Sequence, residues 1–108
     1  MKKGTLTRFI IGNILFKIRK SNLTFNECLE IYTKKYKLSN LDKKFIHNVV
    51  LNTLRNINVN EQIIRSYIKK INKNDFSYFL ILSAIEQICF LNIKSYAVIN
   101  SICESYDF

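Results

Sequence analysis

The sequence predicts an all-α fold, a single compact helical bundle of about six helices over residues 1–108. Three observations carry this. Pro is absent and Gly occurs only twice, at Gly4 and Gly12, whereas sheets and barrels need frequent turn punctuation. Apolar residues recur at helical spacing almost throughout, and no segment alternates with period two. The polar stretches that interrupt this pattern are short and rich in helix-capping residues. A hydrophobic fraction of 48 % with 13 % aromatics excludes a disordered chain. A length of 108 residues suits one domain with one core.

Taken in order, the first helix carries Leu6, Phe9, Ile10, Ile14 and Ile18 on one face, with Thr5 as its cap. The second opens with "TFNE", in which Thr24 and Glu27 have capping-box spacing, and continues through Phe25, Cys28, Leu29, Tyr32 and Tyr36. The third opens with "SNLD". There Ser39 caps, Asp42 suits the positive end of the helix dipole, and Leu41, Phe45, Val49 and Leu54 form the stripe. "NVNE" repeats the capping-box spacing, so Asn58 and Glu61 are expected to open a fourth helix through Val59, Ile63, Tyr67 and Ile71. After "NKND", Asn74 or Asp75 caps a fifth segment running from Phe76 through Phe79, Leu80, Ala84 and Ile88 to Leu91. Apolar on most sides, it belongs at the centre of the bundle. Ser95 then caps a sixth helix with its stripe from Tyr96 to Tyr106.

The basic, apolar opening "MKKGTLTRFIIGNILFKIRK" superficially suggests a signal peptide, but Arg8, Asn13, Lys17 and Arg19 interrupt it and no small-residue cleavage site follows. No stretch is apolar and long enough for a membrane span, so the chain reads as cytoplasmic. Cys28, Cys89 and Cys103 are odd in number and widely spaced, which fits buried thiols better than disulfides or a zinc site.

Net charge is +9, and its distribution is uneven. Residues 1–73 hold 16 Lys or Arg against four acidic residues, a net of +12, whereas residues 74–108 carry a net of −3. Such a basic body suits a polyanionic partner; a lysine-rich coding bias would give a similar sum. The chemistry of catalysis is sparse. His47 is the only histidine, which rules out a site of several histidine ligands, and it reads as a boundary residue. Glu27 is occupied by capping, and the isolated glycines make no phosphate loop. No catalytic residue, cofactor site or metal site is expected. Most aromatic residues fall on the apolar stripes. Tyr36, within "KKYK" and flanked by Lys34, Lys35 and Lys37, is the one expected to lie on a basic surface.

Three stretches in order form a more specific pattern: "LSNLDKKFIHNVVLNTLRN", "INVNEQIIRSYIKK" and "FLILSAIEQICFLNIKSYAVINSICE". Asp42, Phe45, Val49, Leu54 and Arg55 stand in the first, Gln87 near a family glutamine in the third, and Ala97, Val98, Asn100 and Glu104 on its final motif. Together they resemble the NusB/RsmB family of helical RNA-binding domains, over residues 5–108. The resemblance implies a NusB-like bundle acting in transcription antitermination or rRNA maturation. Its RNA would be an rRNA or rRNA leader with a boxA-like element, bound together with a small-subunit ribosomal protein. The opening helix and "FLNIKSYAVIN" resemble the RsmB branch, so the N-terminal domain of an rRNA cytosine methyltransferase is an alternative, and a protein-interaction module is another. The expected RNA-binding residues are Lys2, Lys3, Arg8, Lys17, Arg19, Lys43, Lys44 and Arg55; Arg55 reads equally as a structural ion-pair residue.

The departures are informative. The family's arginine cluster is reduced to Lys2, Lys3 and Arg8, and Ser101 stands where the family has glutamate. The family's final helix is expected to be missing after Phe108. Ile99, Ile102, Cys103 and Tyr106 are then expected to form an apolar patch, open to a partner, to a second copy in a homodimer or to a further segment of the same gene product.

Overall fold

In a computed structural model, described over residues 3–21, 23–68 and 70–106 without the side chains of Lys3, Ser105 and Tyr106, the chain forms six α-helices. These are α1 (Lys3–Lys20), α2 (Phe25–Tyr36), α3 (Asn40–Arg55), α4 (Ile57–Tyr67), α5 (Phe76–Ile85) and α6 (Ser95–Tyr106). α5 continues without a break into a π-helical turn over Glu86–Phe90. No strand occurs among the described residues.

Two of the expected helix starts form as read. Thr24 and Glu27 make both bonds of the capping box of α2, and the Ser39 hydroxyl accepts from the Asp42 N–H at 3.2 Å to open α3. The α2 helix ends at Lys37, whose φ of 51° lets its N–H and that of Leu38 both reach back to the Thr33 carbonyl.

Other starts differ. α4 follows α3 directly, and Asn56 closes one helix and opens the next without a side-chain cap. No extended residue remains for Asn58, which lies inside α4, and the Glu61 carboxylate is taken by Arg19 instead. Asp75 precedes α5 but makes no capping bond. Ser95 is the first residue within α6, whose Ala97 and Val98 N–H groups bond the Lys94 carbonyl. Thr5 lies inside α1 and donates to Glu104 Oε2 of α6 at 2.7 Å.

The core centres on α1 and α5. α1 is buried over a wider arc than its stripe predicts: Ile11 and Leu15 join Ile10 and Ile14 inside, because α2, α3, α5 and α6 all pack on it. α5 lies at the centre as its all-round apolarity requires, with Tyr78, Phe79, Leu80 and Leu82 buried. α1 and α3 run the same way: Arg8 lies over Phe45 near the start of α3, and Leu15 and Ile18 meet Leu54 near its end.

Burial corrects several side-chain expectations. In α3, Leu41 is exposed while Ile46 and Val50 are buried; in α4, Val59 and Tyr67 are exposed while Asn60 and Ile64 face inward. That rotation follows from Asn60, which turns toward a buried carboxylate on the π-turn. Cys28 is buried as expected, but Cys89 and Cys103 are exposed. Tyr36 is half-buried and stacked on Tyr32, with centroids 6.2 Å apart, and the Lys35 ammonium lies 5.4 Å from its ring centroid.

α1 and α5 approach closely at Gly12. A Cβ there would lie 2.7 Å from Leu80 Cδ2 and 2.9 Å from Phe76 Cε1. Gly12→Val should therefore destabilise the fold by about 2 kcal/mol or more through overpacking. Denaturant unfolding of the two proteins checks this; equal midpoints would mean that the helices part at no cost.

Candidate nucleic-acid interface

Arg8 is the most constrained of the expected site residues. It is 8 % exposed, and its Nε donates to Gln87 Oε1 at 2.9 Å. Nη1 donates to the Gly4 carbonyl at 3.2 Å and to Ser101 Oγ at 3.4 Å. The guanidinium also lies 5.3 Å from the Phe45 ring centroid. Gln87 is held in turn by its own donation to the Ser83 carbonyl. Every acceptor is neutral, and no carboxylate hydrogen-bonds Arg8 among the described residues. Burial alone pulls its pKa below the usual arginine value. Arg8 is thus a buried, structural cation.

Lys43 and Lys44 stand in the first turns of α3, just before Phe45. Lys43 lines a cavity of 390 Å³ between α2 and α3 with Asn26, Leu29, Glu30, Thr33 and Lys34. Lys43 and Lys44 share a neighbouring hollow with His47, whose ring packs 5.2 Å from that of Phe25. Arg8, Lys43 and Lys44 therefore occupy one end of the molecule, at the start of α1 and α3. Lys3 begins α1, but its side chain lies outside the described residues, as does the whole of Lys2. Lys34, one of the lysines flanking Tyr36, joins this end through the α2–α3 cavity, where its ammonium lies 3.6 Å from Glu30 Oε1.

The remaining cations lie elsewhere. Lys17 sits with its ammonium 5.2 Å from the Tyr32 ring, and Arg55 is exposed in the last turn of α3. Arg19 meets Glu61 Oε1 at 3.1 Å, with Arg65 at 3.4 Å and Lys73 at 3.8 Å from Glu61 Oε2. Burial alone would raise the Glu61 pKa, but the Arg19 hydrogen bond and the Arg19 and Lys73 charges outweigh it and hold the carboxyl below its usual value. The buried Tyr78 hydroxyl approaches this carboxylate without a hydrogen bond of good geometry. Its own burial first, and then the Glu61 charge, push its pKa up to about 12.

A second polar cluster escaped the sequence reading. Glu86, fully buried at the start of the π-turn, accepts from Asn56 Nδ2 at 3.1 and 3.2 Å and from Asn60 Nδ2 at 3.0 Å. Asn60 Oδ1 is buried without a partner. The readable signal was an asparagine on the inner face of α4, which the search for apolar stripes passed over. Among the described residues no group of three or more His, Cys, Asp or Glu could hold a metal ion. Nor is any described helix long and apolar enough to cross a membrane.

An all-α bundle with a central apolar fifth helix and a cationic end defines a class of small helical domains. The NusB family model matches residues 5–107, and the chain belongs to the NusB family. No curated protein and no solved structure matches it.

Two outcomes test these clusters. Asn60→Ala removes one of the donors to Glu86 and should lower stability by about 1–3 kcal/mol, read by thermal unfolding. In alkali, an unfolded tyrosine ionises near 10 while folded Tyr78 holds its proton to about 12. The folded state then binds more protons, so stability falls as pH rises through that window, by roughly 2–3 kcal/mol. Denaturant midpoints at pH 9 to 12 should show this extra loss in the native chain and not in Tyr78→Phe.

Proposed function

We propose that this protein is a non-catalytic RNA-binding domain of NusB type, acting in transcription antitermination or in rRNA transcription and maturation. The observation that carries the reading is the arrangement around Arg8. Its guanidinium is pinned by Gln87, Gly4 and Ser101, all neutral, so its charge is fixed in place and offset by no hydrogen-bonded carboxylate among the described residues. Lys43 and Lys44 lie at the same end, at the start of a helix whose dipole also favours phosphate. A phosphate backbone is the ligand such a cationic end suits. Lys2 and Lys3 precede Arg8 in the sequence and are further candidate phosphate contacts. Family membership supports the same reading, with an rRNA-leader RNA and a small-subunit ribosomal protein as the proposed partners.

The test is a titration of the full chain with a short boxA-like RNA at several salt concentrations. Affinity should fall steeply with salt. Lys43→Glu/Lys44→Glu, both outside the core, should weaken binding at least about tenfold and flatten the salt dependence, with helicity unchanged. Wild-type affinity and an unchanged slope in that variant would overturn the assignment of the site.

A further inference from the structure

We propose that the opposite end of the bundle, where α1 and α3 finish and α4 begins, is a docking site for an acidic protein segment that inserts one bulky apolar side chain. A cavity of 190 Å³ opens there, lined by Leu15, Ile18, Leu54, Ile57, Phe79 and Leu82, with Arg19 at its rim. Leu15, Phe79 and Leu82 are buried and form the floor. Ile18, Leu54 and Ile57 are only half-buried and form the mouth. Apolar cavities of about 150 Å³ take up a benzene-sized group, so this one accommodates a single leucine or phenylalanine side chain.

Charge at the rim selects the rest of the ligand. The Arg19 guanidinium lies 5.3 Å from the Phe79 ring centroid, which fixes it above the floor. It shares Glu61 with Arg65 and Lys73, at 3.1, 3.4 and 3.8 Å. Arg65 and Lys73 do not line the cavity, but three cations on the one carboxylate that Arg19 bonds leave two positive charges in excess next to its rim. Carboxylates flanking an apolar anchor complement that surface, and buried anchors in pockets with matching rim charge are how protein segments bind. An RNA base fits it less well. Its edge is lined with donors and acceptors, and the walls of this cavity offer them nothing to bond except Arg19.

This site is separate from the proposed RNA end. Arg8 and Arg19 are 11 residues apart on α1, about 16 Å along the helix axis. The inference does not rest on RNA binding.

The experiment titrates the isotopically labelled full chain with a synthetic peptide, Asp-Glu-Asp-Leu-Asp-Glu, and with the same peptide carrying Ala for Leu. The leucine peptide should bind saturably, tighter than about 1 mM, with methyl shifts concentrated at Ile18, Leu54 and Ile57. The alanine peptide should bind at least roughly tenfold more weakly. Arg65→Gln/Lys73→Gln, two exposed positions, should weaken the leucine peptide several-fold and leave the affinity for boxA-like RNA unchanged. Equal binding of the two peptides, or no saturation by either, overturns the proposal. So does a double variant that loses RNA affinity while keeping the peptide, which would assign these cations to the RNA footprint.

Discussion

The hydrogen bond from Arg8 Nε to Gln87 Oε1 is the contact on which the rest of the arrangement depends. The one guanidinium joins α1 to the π-turn through Gln87, to α6 through Ser101, and to α3 through the face of Phe45. Four segments distant in sequence are held by a single planar group whose fork of donors fixes their mutual orientation. Apolar packing drives these helices together, but it is tolerant of sliding and rotation; a buried arginine with three defined acceptors is not. The bundle's register at this end is set by polar geometry and its stability by the isoleucines beneath.

A second consequence concerns how the interior handles charge. Buried ions are usually paired, since desolvation is costly and a counterion offsets it. Here Arg8 is solvated by an amide, a carbonyl and a hydroxyl, and Glu86 by two asparagine amides. Each is surrounded by neutral dipoles rather than by the opposite charge. Arg19, Arg65 and Lys73 follow the ordinary rule and share Glu61 near the surface. Among the described residues the molecule therefore keeps one buried cation, Arg8, with no hydrogen-bonded counterion at one end, while at the other it concentrates cations around a single anion near the rim of an apolar cavity. The two ends differ in what they can attract, though one helix carries a key arginine of each.

Much of the fold was legible because helix periodicity, caps and the absence of Pro all reported on the same thing. Thr24 with Glu27, Ser39, and the apolar belt of α5 were readable because each acts locally, within a turn or two of chain. The misreadings share a cause in the other direction. Thr5, Asn58, Glu61 and Ser95 have the residue types and spacings of caps, but long-range partners or chain continuity decide what they do: Glu104 takes Thr5, and Arg19 takes Glu61. Arg8 was identified as functional from its charge, yet its burial depends on Gln87 and Ser101, each more than 75 residues away. Lys34 is legible as part of the basic stretch around Tyr36, but only the packing of α2 beside α3 brings it to Lys43.

The π-turn at Glu86–Phe90 acts as a phase shifter. The turn closes one position farther back than an α-helical one, as the Leu91 N–H does to the Glu86 carbonyl, so the side chains advance through a smaller angle per step. Glu86 and Gln87, adjacent at the start of this turn, reach different parts of the bundle: Glu86 meets Asn56 at the α3–α4 junction and Asn60 of α4, and Gln87 meets Arg8 of α1. The same offset carries Cys89 and Phe90 out to solvent, where a wheel extrapolated from Phe76 would have kept an apolar face inside. A single wide turn thus works like an inserted residue absorbed without a loop: it gives one rod two unrelated facings and lets the central helix serve both halves of the bundle.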